Sequence, residues 1–251
     1  MTLRSYLNFI SRAPSLEALW STHTKEMARY GFDRLLYGYT RYRTETSLGD
    51  PDDFVILTNH SKDYVDRFMH GGLYFDAPML HWALKNEGAE SWRMINQMMA
   101  SQTFTPQEQM VYDFNHKMNV TAGYTISFNS VSVRSKGAIS LCARPGMTQT
   151  DIDEIWKIHG EDILLMNNIA HLKILTLPHV APKRSLTKRQ REALEWVGDG
   201  KTMQDIAVLM GLTSATVEKH LRLAREALAV ETTAQAVMKA ALHNQMFVIE
   251  A

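Results

Sequence analysis

Cysteine is almost missing from this 251-residue chain: Cys142 stands alone, so no internal disulfide framework holds the fold. No group of Cys and His has the spacing of zinc ligands either. Long apolar runs are lacking too. Nothing approaches the roughly 18 consecutive apolar residues of a membrane span, and MTLRSYLNFISRAPS at the N-terminus breaks its apolar stretch with arginines and serines, unlike a secretory leader. Charge of one sign is not in excess, since 27 Lys and Arg offset 27 Asp and Glu. The balance hides a slight local tilt: from Ala181 onward 10 basic residues face 8 acidic ones, against 17 and 19 before it. These absences predict a soluble, untargeted protein of a reducing cytoplasm, with no membrane partner, whose 45% hydrophobic residues can build an ordinary core.

Groups arranged for chemistry are missing as well. The 10 histidines are scattered, and none forms a metal pair or a base beside a nucleophile. Cys142 lies within the apolar run ISLCA, where inert burial is the expectation. No catalytic residue, metal or cofactor is predicted, and the chain is not read as an enzyme.

The 7 prolines that are present act as punctuation. Residues 3–30 carry apolar side chains at helical spacing (Leu7, Ile10, Leu16, Leu19, Met27) interrupted by Pro14, which predicts two short helices. LLYGYTRYR at 35–43 alternates and is aromatic-rich, as a half-buried strand should be, and 54–58 reads as its antiparallel partner. Helices are predicted over 62–69, 78–86 and 106–118, the last two with proline in the first turn. Strands at 123–130 and 137–143 follow, then a long helix over 150–177. The fold class is α+β, with an N-terminal antiparallel sheet between helices in an α-β-α sandwich.

PHVAPKRS at 178–185 has two prolines and few apolar residues, the composition of a linker. It divides a domain at 1–177 from one at 186–251. In the second, Thr187 with Gln190, Thr202 with Asp205 and Thr232 with Gln235 each place a capping hydroxyl three residues before an acidic or amide side chain, which marks three helix starts. A fourth helix runs from Ser214 to Leu228 after Gly211 stops its predecessor. The predicted core is Leu186, Leu194, Trp196, Ile206, Ala207, Leu209, Leu212, Val217, Leu221, Leu228 and Val237.

Residues 202–210 and 214–228, joined by Gly-Leu-Thr, have the lengths and turn of a helix-turn-helix, although helical pairs with a glycine turn are common in plain bundles. The stretch LTKRQREALEWVGDGKTMQDIAVLMGLTSATVEKHLRLAREALAV settles the choice, because it closely resembles the C-terminal DNA-binding domain of LuxR-type regulators. The second helix then presents Ser214, Ala215, Thr216, Glu218, Lys219, Arg222 and Arg225 as candidates for the DNA, with Lys201 near a phosphate. Gly200-Lys201-Thr202 is no phosphate loop, since Glu195 stands where its first glycine is required.

The N-terminal part resembles, more weakly, the ligand-binding domain of quorum-sensing LuxR-type receptors for N-acyl-homoserine lactones. In that family a Trp and a Tyr four residues apart, an Asp before a Pro, and a later Trp line the pocket. Here Tyr64 and Phe68 stand at the first two places, Asp76-Ala77-Pro78 replaces Asp-Pro, and Trp92 stands where the lactone-contacting Trp is expected. A carboxylate at Asp76 would accept from a ligand amide, and the indole N–H of Trp92 would donate to a carbonyl. Tyr37, Tyr39, Tyr64, Phe68, Tyr74, Phe75 and Met79 are candidate apolar walls, with Ser140 a second polar contact. Phe68 cannot give the hydrogen bond of the usual Tyr, and Ala77 can turn Asp76 out of register, so a non-standard ligand is also allowed. The resemblance implies a quorum-sensing transcriptional regulator that acts as a homodimer on an inverted-repeat operator, with RNA polymerase as a further partner. The alternative is an orphan regulator that binds DNA without a ligand.

Overall fold

The structure, a computed structural model, describes residues 1–130, 132–178 and 184–247. Of the expected linker, residues 179–183 lie outside those described. The chain divides into two compact units, one of residues 1–49 and 55–175, the other of 50–54 with 176–251.

In the first unit Thr2 and Ser15 cap α1 (Leu3–Ser11) and α2 (Leu16–Arg29), each hydroxyl accepting a first-turn N–H. Five strands follow at intervals: β1 (Phe32–Thr40), β2 (Val55–Thr58), β3 (Gly88–Ser91), β4 (Gly123–Ser127) and β5 (Lys136–Ala143). They form one antiparallel sheet in the order β2-β1-β5-β4-β3. Between β2 and β4 lie α3 (Lys62–Val65), which runs into a π turn (Asp66–His70), a 3-10 turn (Leu73–Asp76), α4 (Pro78–Lys85), α5 (Arg93–Ala100) and α6 (Pro106–Lys117). Pro78 and Pro106 occupy the first helical turn, where a missing N–H costs nothing. The long α7 (Gln149–Ile174) crosses the opposite face of the sheet with α1 and α2 beside it. The fold is α+β, a sheet held between two helical layers.

Two elements have no counterpart among the expected ones. Strand β3, of sequence Gly-Ala-Glu-Ser, has neither alternation nor β-branched residues and exists because it pairs with β4, Ala89 opposite Ile126. Helix α5 has an apolar face but spans only eight residues, and no side-chain cap marks its start.

The second unit contains α8 (Lys188–Gly198), α9 (Met203–Met210), α10 (Ser214–Leu228) and α11 (Thr233–Leu242). Capping boxes at Thr187–Gln190, Thr202–Asp205 and Thr232–Gln235 start three of them. Gly211 ends α9 at φ +65°, a left-handed conformation open to glycine. The core gathers Leu194, Ile206, Ala207, Val217, Leu221 and Leu228. Leu209 is a correction to the expected core, being 49% exposed. The inward stripe of α9 runs through Ile206, Ala207 and Met210, which leaves Leu209 on the outside of an eight-residue helix. The turn Pro51–Asp53 belongs to this unit as well, where buried Asp53 accepts from Arg184 Nε at 3.1 Å and Lys239 Nζ at 2.7 Å.

Candidate functional site

Side chains alternate across a strand, so the sheet register sorts the candidates by face. Leu36, Ser140 and Thr125 are aligned across β1, β5 and β4, as are Tyr37, Ile139 and Ile126 in the next row. The first row faces the layer of α3 to α6 and the second faces α7. Tyr37 and Tyr39 therefore lie away from the other ligand candidates. Tyr37 Oη meets His171 Nδ1 of α7 at 2.8 Å and is 1% exposed, and the Tyr39 ring lies against the same His171. Their expected role as walls of a ligand site is corrected: they are core residues of the α7 face, because the register shift between Phe32 and Arg34 resets the phase of β1 and odd positions from Leu35 onward face that way.

On the other face Trp92 lies flat against β4, its backbone N–H donating to Gly123 O at 3.1 Å. A Cβ at Gly123 would stand 2.2 Å from Leu141 O and 3.0 Å from the Trp92 ring, so only glycine permits this approach. The indole N–H donates to Thr125 Oγ1 at 2.9 Å. Thr125 is 4% exposed and pairs in register with Ser140, so Trp92, Thr125 and Ser140 form one polar row. Ser127, further along β4, donates to the carbonyls of Ala83 and Asn86 and fastens α4 to the sheet. Thr125 escaped the reading of the sequence, although its place in the apolar run GYTIS, out of phase with Tyr124, marks it as a hydroxyl pointing away from α7.

Tyr64, Phe68 and Phe114 stack on one another, with centroids 5.0 to 6.4 Å apart, and His60 covers the outer side of Tyr64 at 4.3 Å. The Tyr64 hydroxyl donates to Asn115 Oδ1 at 3.1 Å. Burial, with a smaller push from Arg34, lowers His60 to about 4, so its imidazole is neutral against the stack. Cys142, near Tyr64, is raised by burial to about 12 and is a protonated thiol, inert as a nucleophile. Asp76 ends the turn before α4, half-buried and without a hydrogen bond or ion pair among the described residues. The inserted Ala77 takes the buried place at the helix start instead. Tyr74, in the same turn, is 7% exposed. Among the described residues no cluster of His, Cys, Asp and Glu is arranged to hold a metal, and no helix is long and apolar enough to cross a membrane.

In the second unit α10 buries Val217, Leu221, Ala224 and Leu228 and exposes Ser214, Ala215, Glu218, Lys219 and Arg222. Thr213 caps it, and Thr216 shares a hydroxyl hydrogen bond of 2.9 Å with that cap. The candidates differ in freedom. Lys219 has no ion-pair partner among the described residues, whereas Arg222 pairs with Glu226. Arg225 is held twice, by Glu218 Oε1 at 3.0 Å and Thr233 Oγ1 at 2.9 Å, and braces α10 against the start of α11. Lys201 is exposed just before α9 and close to Asp205, whose carboxyl is held below its usual value by Thr202 hydrogen bonds and by Lys201. An exposed α10 with one free cation and a second made available by opening an exposed pair can lie along a polyanion.

A family model described as the autoinducer binding domain matches residues 15–174, and one described as sigma-70, region 4, matches 184–228. The transcriptional activator protein ExpR of Dickeya dadantii (strain 3937) is 22% identical over 181 residues, 68% of this chain and 70% of that one. Among solved structures, Escherichia coli SdiA superposes with a TM-score of 0.51 at 16% identity, covering 98% of both chains, and SdiA is also known in complex with octanoyl-rac-glycerol. The N-acylhomoserine lactone dependent factor CepR2 of Burkholderia cenocepacia gives 0.54 at 17% identity, over 68% of this chain and 93% of that one. At such identities the structures speak for the fold.

Proposed function

Because the chain belongs to the LuxR-type quorum-sensing regulators, we propose that its DNA binding is gated by an N-acyl-homoserine lactone or a related acyl amphiphile. The observation that carries this reading is the autoinducer-binding domain itself, whose α3 to α6 layer covers a sheet face bearing Trp92, Thr125 and Ser140 beside an aromatic stack. Apolar surface with a few polar groups suits a ligand with an acyl tail and a polar head. Asp76, without a partner among the described residues, is read as the acceptor for an amide N–H. That CepR2 depends on an N-acylhomoserine lactone and that SdiA takes octanoyl-rac-glycerol supports both head groups as probes.

On the DNA side, Lys219, Arg222, Ser214 and Thr216 of α10 are read as the groove-facing set, with Glu218 at its edge and Lys201 toward a phosphate. Arg225 positions the helix and Lys219 makes the strongest contact. A single helix-turn-helix buries little surface, so two copies on an inverted repeat are proposed. Ile158, Leu165 and Leu172, spaced by sevens and 73%, 42% and 58% exposed along α7, suit pairing with a second copy. RNA polymerase is the further partner that the regulator reading implies.

Fluorescence anisotropy on operator DNA, with and without a panel of acyl lactones and octanoyl-rac-glycerol, tests the gating. Affinity should change by an order of magnitude or more with at least one probe. Equal affinity with all of them favours the ligand-independent regulator. Sedimentation of the complex as one protomer on a half-site would remove the dimer.

A further inference from the structure

The aromatic donors on the α3 to α6 side are mostly committed. The Trp92 N–H is taken by Thr125, the Tyr64 hydroxyl by Asn115, and Phe68 has no donor. Tyr74 differs. Its residue is 7% exposed, yet its hydroxyl oxygen is buried with no hydrogen-bond partner among the described residues. It sits in the turn Leu73–Asp76, which packs against the π turn, α4 and α6, the elements that carry Phe68 and Phe114. Phe75 stacks on its ring at 4.1 Å. Burial pushes the phenol above its ordinary value, so the hydroxyl is a protonated donor throughout the physiological range. Native interiors rarely leave such a group unpaired, and an orphan costs free energy until something accepts from it.

We infer that the Tyr74 hydroxyl donates a hydrogen bond to a carbonyl oxygen of the bound small molecule and so selects amphiphiles whose polar end carries a carbonyl. This rests on the small-molecule reading above. It has a thermodynamic signature that a structural tyrosine lacks: removing the hydroxyl relieves the ligand-free protein and penalises the complex. The full-length protein and Tyr74→Phe are compared by thermal unfolding and by calorimetry with N-octanoyl-homoserine lactone, octanoyl-rac-glycerol and the carbonyl-free ether 1-O-octylglycerol. The expected result is an unchanged or higher ligand-free Tm for the variant, about tenfold weaker binding of a carbonyl probe, and no change for the ether, which already binds the parent protein about tenfold more weakly. A lower ligand-free Tm in Tyr74→Phe would show that the hydroxyl has a structural partner and overturn the proposal, as would carbonyl probes bound equally by both proteins. If none of the probes binds the parent protein, the small-molecule reading itself fails, and the silence of the parent tells that failure from the other two.

Discussion

The two faces of the sheet use the same strands to different ends. Toward α7 most polar groups are matched: Tyr37 with His171, Tyr124 with Asp153, and, in the helices beyond, Tyr6 with His23 and His23 with Asn167, while the Trp20 indole N–H of α2 is buried without a hydrogen-bond partner among the described residues. Toward α3 to α6, Trp92 and Tyr64 are matched, but the Tyr74 hydroxyl and Asp76 have no partner among the described residues. The α7 side leaves one indole donor over, and the other side leaves a phenol donor and a half-buried carboxylate together in one turn. Burying polar groups without partners is costly, and a donor and an acceptor left over in the same turn, Leu73–Asp76, mark where an outside molecule can complete the set.

Acid should cost the α7 side most, with His60 of the other face, also lowered to about 4, adding to the loss. Burial lowers His23 and His171 to about 4, with the Asn167 hydrogen bond opposing the shift at His23. Both are neutral in the fold and titrate near 6.5 when unfolded, so their contribution is whole above pH 6.5 and drains away as the pH falls toward 4. Each is worth on the order of 3 kcal/mol across that window. Urea unfolding from pH 7 to 4.5 should show a steep loss, and a flat profile would break the picture of a closed face built on neutral imidazoles.

Tyr37→Ala should follow, at about 3 to 5 kcal/mol, since it opens a cavity and leaves His171 unpaired. Chemical denaturation measures it, and ligand affinity in the surviving folded fraction should stay unchanged, in contrast to any residue of the other face. On α10 the same contrast recurs in miniature. Lys219→Ala should weaken operator binding by about 1 to 3 kcal/mol in anisotropy titrations without lowering Tm. Arg225→Ala should lower Tm, because it releases both Glu218 and Thr233. The smallest effect is expected at the open face, where Asp76→Asn should reduce acyl-lactone affinity about tenfold and leave urea stability within experimental error. A stability loss there instead would make Asp76 part of the packing.

The helix starts of the second unit are legible in the sequence because a capping box is a local object: Thr202 and Asp205 satisfy each other's backbone within four residues. Strand alternation is legible as a phase, yet it does not say which face belongs to which helical layer. That is why Tyr37 and Tyr39, aromatic and correctly spaced, read as ligand walls although they close on His171, 134 and 132 positions away. Strand β3 is illegible for a related reason, being defined by its pairing with β4, and helix α5 is hard to read because it is short and starts without a side-chain cap. Tyr74 is visible as an aromatic residue, but its empty hydroxyl is a property of the packed turn alone.

The register of β1 bears on how the protein is made. Its inner edge pairs with β5, Arg34 opposite Cys142, so a strand at the middle of the sheet waits for a partner more than a hundred positions downstream. A ribosome adding about 5 to 20 residues per second holds that edge unpaired for roughly 5 to 20 s. During this interval the β1–β2 pair presents an open ladder to any neighbouring chain, and crowding on a polysome turns it into a site of misassembly. The yield of folded regulator should therefore depend on how fast the chain is translated between residues 40 and 143, which synonymous codon changes confined to that span can alter without touching the protein.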